Sequence, residues 1–250
     1  MATTTFNYYG MTDEGKEKEL NEDFFHGLIH KNVLFLIVAD GLGGKEGLDL
    51  ASIVAINEMQ RFIERNLEND KIEHLKKIIE QGMFWINRIL LTYKRANEQV
   101  FSGFGTTFTI CAVNQNKDVV IGHAGNTRMY LFRNNAIVPM TKDHTEAQLL
   151  FDQKKITKEE LRVHPERATL TKALGEWENL ECDIFGGKLE KNDIILLCSD
   201  GAYNMLTDDE ISSIIFEAGE SKVTCEWLIE GANRRGGVDN IVVLISYINF

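Results

Sequence analysis

Three aspartates stand where apolar runs end or begin. Asp40 closes the run 33–39 (VLFLIVA) and is followed by Gly41; Asp200 follows the run 194–199 and precedes Gly201; Asp239-Asn240 opens the run that starts at Ile241. One Asp-Gly after a strand is normally only a turn. Three such acids on neighbouring strands would repel one another and would need counter-charge. A hard divalent cation supplies it: Mg²⁺ or Mn²⁺ prefers carboxylate, carbonyl and water oxygens and requires neither histidine nor cysteine. Gly41 would let a backbone carbonyl approach such an ion closely. A fourth acid, in Asn21-Glu22-Asp23, begins another β-like run. Lys18, five positions earlier, could hold an anionic group such as phosphate. Its stretch Lys16-Glu17-Lys18-Glu19 also reads as a solvated charged run.

The elements that must position these acids are strands and paired helices. The continuous apolar run 33–39 predicts a strand buried on both faces. Asp40-Gly41-Leu42-Gly43-Gly44 is expected to break the chain after it. Ala51, Ala55, Met59, Phe62 and Ile63 then recur at helical steps, and a second stripe predicts a helix over 72–100. The aromatics of that helix, Phe84, Trp85 and Tyr93, are expected in the core. Strands are predicted at 106–113, 119–123 and 128–133, with turns at Asn114-Gln115-Asn116 and Asn134-Asn135. The polar stretch 143–168 predicts short helices, with capping-box spacing at Thr157-Lys158-Glu159-Glu160. Two further strands, 193–198 and 241–248, flank two helices, one opened by a second capping box at Thr207-Asp208-Asp209-Glu210. Strands and helix pairs without strict alternation predict an α+β fold with helices on two sheets. Only two prolines and no linker-like tract occur, so one domain over 1–250 is expected.

Composition narrows the function. The chain has 250 residues, 44% of them hydrophobic, and a formal net charge of −11. An acidic surface argues against general nucleic-acid binding. No run approaches the roughly 18–20 apolar residues of a membrane helix. The first residues lack the basic and apolar stretches of a signal peptide, so the cytoplasm is expected and no membrane partner. Cys111, Cys182, Cys198 and Cys225 form no CxxC pair and read as reduced thiols. His26 and His30 share a strand face but have no partner set for a metal. Gly41-Leu42-Gly43-Gly44-Lys45 is no nucleotide loop, because Glu46 stands where the phosphate-loop pattern needs Ser or Thr and the dinucleotide pattern needs Gly.

Taken in order, Asn21-Glu22-Asp23, Asp40-Gly41-Leu42-Gly43-Gly44, Gly105-Thr106-Thr107, Gly125-Asn126-Thr127-Arg128, Leu170-Thr171-Lys172-Ala173-Leu174-Gly175, Ser199-Asp200-Gly201 and Asp239-Asn240 resemble the bacterial metal-dependent protein serine/threonine phosphatases of the protein phosphatase 2C class. Thr141-Lys142-Asp143-His144-Thr145 and His164-Pro165 match that class in a flap-like segment at about 143–168. The resemblance implies a four-layer αββα sandwich, two antiparallel sheets flanked by helix pairs, with the metal centre at one end. It implies that Asp40 bridges two Mg²⁺ or Mn²⁺ ions, that Asp23 and the Gly41 carbonyl serve one ion, and that Asp200 and Asp239 serve the other. A hydroxide bridging the ions would hydrolyse phosphoserine or phosphothreonine in proteins. The implied partners are phosphoprotein substrates, with a bacterial Ser/Thr kinase as their source.

Three departures qualify the match. Lys18 stands where the family usually has arginine to hold phosphate, which keeps the charge and loses the bidentate fork. Asn126 and Asn204 replace acids that hold a third, weaker ion in the family, so the third site is expected to be absent or weak. Leu42 stands where some relatives carry a histidine acid, which leaves the general acid unassigned; His144 is read either as the alternative or as a structural histidine near the flap. Two readings follow: an active phosphatase, favoured because all core acids are present, and a catalytically weak or inactive module that binds phosphoproteins or a partner.

Overall fold

The computed structural model describes residues 6–43, 50–96 and 103–248. The strands are β1 (Asn7–Asp13), β2 (Asp23–His30), β3 (Val33–Leu42), β4 (Gly105–Thr106), β5 (Phe108–Val113), β6 (Asp118–Ala124), β7 (Arg128–Arg133), β8 (Ala136–Pro139), β9 (Asp183–Lys188), β10 (Ile194–Cys198) and β11 (Ile241–Tyr247). The helices are α1 (Leu50–Asn66), α2 (Ile72–Ala96), α3 (Glu146–Asp152), α4 (Lys158–Val163), α5 (Asp200–Tyr203), α6 (Asp208–Ala218) and α7 (Ser221–Arg234), with a 3₁₀ turn at Pro165–Ala168. One sheet has the order β1-β11-β10-β7-β8; the other has β2-β3-β5-β6-β9, with β4 paired to β3. All their ladders are antiparallel.

The apolar runs are continuous because each strand is covered on both faces. Val33, Phe35, Ile37 and Ala39 of β3 join the cluster under α1 and α2. The alternate residues Leu34, Leu36 and Val38 join a second cluster between the sheets. In β11, Val242 and Leu244 enter that middle cluster. Ile241, Val243 and Ile245 face the cluster formed with α6 and α7. This is the α+β, four-layer arrangement expected, and period-two alternation in both central strands is what builds it.

Two details differ from the sequence reading. The chain does not break at Asp40-Gly41: β3 runs on through Leu42, because Gly41 and Leu42 pair with Thr106 and Gly105 of β4. Gly44 lies outside the described residues, as do positions 97–100 of the helix expected to reach Val100. The aromatics of α2 are not in the core: Phe84, Trp85 and Tyr93 are 56%, 48% and 46% exposed. The buried stripe is Leu75, Ile78, Ile79, Met83, Ile86 and Leu90; Phe84 and Trp85 sit outside it, whereas Tyr93 continues its spacing in the last turns of the helix and packs on Phe104 at 5.7 Å while staying half-exposed. Both capping boxes form, at Thr157/Glu160 and Thr207/Glu210. Among the described residues no helix is long and apolar enough to cross a membrane.

Candidate metal centre

Strand register sets the first two acids. Asp23 lies directly opposite Asp40 in the β2–β3 ladder. By alternation Asp40 belongs to the face of Leu34, Leu36 and Val38, so the pair looks into the space between the sheets. The Asp40 peptide is fixed by three bonds: its N–H donates to Thr107 Oγ1 (3.0 Å), and its carbonyl accepts from Thr107 N (2.9 Å) and Thr106 Oγ1 (2.8 Å). Gly41 N–H donates to the Glu22 carbonyl at 3.1 Å, which ties the two acid-bearing segments together.

The other two acids come from the second sheet. Asp200 is the first residue of α5, directly after β10 and Ser199. Gly201 is required there: a Cβ at this position would lie 2.0 Å from the Asn240 carbonyl oxygen. Asn240, which follows Asp239, is a hub that the sequence reading gave no role. Its Nδ2 donates to the carbonyls of Glu14 (2.9 Å) and Leu20 (2.8 Å), and its Oδ1 accepts from Glu22 N (2.9 Å). It thereby anchors the loop that carries Lys18 and leads into Asp23. Lys18 Nζ lies 2.7 Å from Asp239 Oδ1.

Burial and mutual repulsion both act on the acids. Burial, with the charges of Asp200 and Asp239 adding to it, pushes the Asp23 carboxyl up to about 8. Burial and then the charges of Asp23, Asp200 and Asp239 push Asp40 well above the carboxylate range. Burial and then Asp239 and Asp143 raise Asp200 to about 6. Burial alone would lower Lys18, but Asp239, Glu22 and Asp40 outweigh it and raise it. Asp23 is only 2% exposed, and its Oδ2 has no hydrogen-bond partner.

These residues fit hard divalent ions. The donor set is all oxygen, and the orphaned Asp23 Oδ2 is a buried acceptor with nothing to accept from. Among the described residues no three His, Cys, Asp or Glu side chains already close on one point. Mg²⁺-type sites do not need that, since such ions keep several waters and are held by one or two carboxylates.

Around the acids, Asn126 Nδ2 donates to Asp200 Oδ2 at 3.2 Å. Arg128 forms a two-pronged pair with Asp143 (2.8 and 2.7 Å) and lies 3.5 Å over the Tyr203 ring. Tyr203 in turn donates to the Asn126 carbonyl at 2.9 Å. Asn204, the other expected third-site position, caps α5, its N–H bonded to the Asp200 carbonyl at 2.8 Å. A cleft of about 370 Å³ separates this region from the 143–168 segment, with Lys158, Arg162 and Arg167 on one wall and Asp208 and Asp209 on the other. Both ring nitrogens of His144 are engaged, with Gly125 N (3.1 Å) and Asp183 Oδ2 (3.2 Å). This leaves it poorly placed as the general acid. His26 and His30 do share β2, and the Nε2 of each is buried without a hydrogen-bond partner.

The protein phosphatase 2C family model matches residues 13–225. The chain belongs to the protein phosphatase 2C family. It is 32% identical over 235 residues to the serine/threonine phosphatase stp of Listeria welshimeri, covering 94% of this chain and 92% of that one. Among solved structures, Stp1 of Staphylococcus aureus superposes with a TM-score of 0.92 at 27% identity, over 99% of this chain and 96% of that one. The catalytic domain of the serine/threonine protein phosphatase PstP, in complex with two manganese ions, superposes with a TM-score of 0.83 at 26% identity, over 98% and 99% of the two chains. The phosphatase is thus a protein serine/threonine phosphatase, and phosphoproteins are its substrate class.

Proposed function

We propose that this phosphatase hydrolyses phosphoserine and phosphothreonine with two divalent ions, Mg²⁺ or Mn²⁺, held by Asp23, Asp40, the Gly41 carbonyl, Asp200 and Asp239. The observation that carries the reading is the pairing of Asp23 with Asp40 across the β2–β3 ladder, with Asp23 Oδ2 buried and orphaned and with Asp200 and Asp239 adding to the charge that raises both carboxyls. The ions would supply what the chain lacks, acidifying water near neutral pH and neutralising phosphoryl oxygens. The chain's own part is to bind and orient. Asp40 lies opposite Asp23, with its peptide locked by Thr106 and Thr107. The Asn126 amide orients Asp200. Lys18, beside Asp239, puts an ammonium where it can meet an anionic substrate.

In this reading the flap-like segment of about 143–168 belongs to one domain with the rest of the chain, and the substrates are products of a bacterial Ser/Thr kinase. Free thiols at Cys111, Cys182, Cys198 and Cys225 support a place in the reducing cytoplasm. One observation favours the second reading, a binding module without turnover: the Lys18 ammonium already neutralises Asp239. Hydrolysis of an aryl phosphate and of a phosphothreonine peptide, with and without Mn²⁺, decides between them. Mn²⁺-dependent turnover that is lost in Asp40→Ala and Asp200→Ala supports the enzyme. Absence of turnover in Mn²⁺ supports the module.

A further inference from the structure

The turn between β6 and β7 is gripped from an unexpected side. Gly125 has a left-handed φ of +112°. His144 holds that peptide reciprocally. The His144 N–H donates to the Gly125 carbonyl at 2.8 Å, and the Gly125 N–H donates to His144 Nδ1 at 3.1 Å. The other ring nitrogen, Nε2, lies 3.2 Å from Asp183 Oδ2, and Lys172 Nζ sits 2.8 Å from Asp183 Oδ1. An acceptor at Nδ1 and a carboxylate at Nε2 select the neutral ring with its proton on Nε2. The ring stacks on buried His123, with centroids 4.7 Å apart and planes at 28°. His123 is itself fixed between Thr109 Oγ1 (2.9 Å) and the Lys142 carbonyl (3.0 Å). The residue after Gly125 is Asn126, whose amide donates to Asp200.

We propose that His144 is a positioning residue for Asp200: it fixes the Gly125 peptide, and through it the Asn126 amide that orients the Asp200 carboxylate. The importance of Asp200 rests on the metal-centre reading above; the grip on Gly125 does not. The proton inventory follows from the geometry. The groups facing the ring are His123, Asp143, Asp183 and Lys172. Burial is the main influence, opposed by Asp183, and the net result keeps the imidazole below its ordinary range. A second proton would enter at Nδ1 and turn the acceptor into a donor facing the Gly125 N–H, so the bond would be lost.

Two amide substitutions separate the two ring contacts. In His144→Asn, Oδ1 stands near the place of Nδ1 and still accepts from Gly125. In His144→Gln, the amide reaches toward Asp183 and the acceptor for Gly125 is gone. The experiment uses the Mg²⁺-loaded protein, ¹⁵N-labelled. It reads hydrogen exchange at the Gly125 amide, alongside kcat and KM for an aryl phosphate. The expected result is Gly125 protection in His144→Asn within about threefold of the wild type, with kcat similarly kept. In His144→Gln both fall at least tenfold and KM changes little. In the wild type, lowering the pH should exchange-broaden or shift the Gly125 amide in step with the His144 ring. Retention by Gln and loss by Asn would overturn the proposal, as would equal kcat losses in both that track melting temperature. A wild type without turnover would remove the metal-centre reading alone, and the Gly125 amide would still decide the grip.

Discussion

Asp23 and Asp40 face each other across the β2–β3 ladder, yet Asp23 Oδ2 is buried without a hydrogen-bond partner. Two carboxylates placed this way, with Asp200 and Asp239 close enough to raise both, are a standing electrostatic cost in the metal-free chain. Asp40 itself is carried by β3, whose residues Val33 to Ala39 are all fully buried. Divalent ions should therefore stabilise the fold as well as act in it. A saturating ion at a hundred times its Kd stabilises by about 2.7 kcal/mol, a rise in Tm of roughly 5–10 °C for a chain of this size. Thermal melts in EDTA and in Mg²⁺ check this. Asp23→Asn is expected to melt higher than the wild type in EDTA and to gain less from Mg²⁺.

The lysine against Asp239 should compete with an ion for the same oxygen. Lys18→Ala is expected to tighten Mn²⁺ binding several-fold, in line with the roughly 0.2–1 kcal/mol typical of an exposed ion pair. It should also raise KM for an aryl phosphate. Calorimetric titration with Mn²⁺ checks the first part; weaker ion binding in the variant would show that the lysine does not compete.

Asn126 offers Asp200 an amide N–H where the family has an acid. Two Mn²⁺ ions per chain are expected by calorimetry. Asn126→Asp should add a third, weaker ion by supplying the missing charge. Three tight sites in the wild type would contradict the assignment.

Stability should fall on the acid side for a reason outside the metal centre. Burial, then the neighbouring His144, holds His123 down to about 4 against an ordinary value near 6.5. Above pH 6.5 neither the folded nor the unfolded chain protonates this group, so the stability is fully present. As pH falls from 6.5 towards 4, the unfolded chain takes a proton that the fold refuses, and stability declines. The loss at pH 5 is about 2 kcal/mol from this group. Urea unfolding at pH 7 and pH 5 checks it, with His123→Gln expected to show a shallower decline.

Much of the site was readable because chemistry and burial coincide in the sequence. Asp40, Asp200 and Asp239 interrupt runs such as 33–39 that fill both faces of a strand, so acids there stand out. Strands without that signal were missed. β9 carries two glycines and three exposed residues, and β8 is four largely exposed residues ending in Pro139; both owe their state to pairing with β6 and β7. The left-handed Asn134-Asn135 pair was legible as a turn, but the short strand after it was not. Asn240 was hidden for another reason: its partners Glu14, Leu20 and Glu22 are backbone groups more than 200 positions away. Phe84 and Trp85 misled because a helical stripe locates the buried face and hydrophobic type alone does not; Tyr93 lies on the stripe's spacing but past its last buried residue, Leu90.

The most direct test of the central claim is an anomalous difference map from crystals soaked in Mn²⁺. Two peaks bridged by the Asp40 carboxylate, one beside Asp23 and the Gly41 carbonyl and the other beside Asp200 and Asp239, are the predicted result. No peak among these four carboxylates, with Lys18 still seated on Asp239 at saturating Mn²⁺, would contradict it.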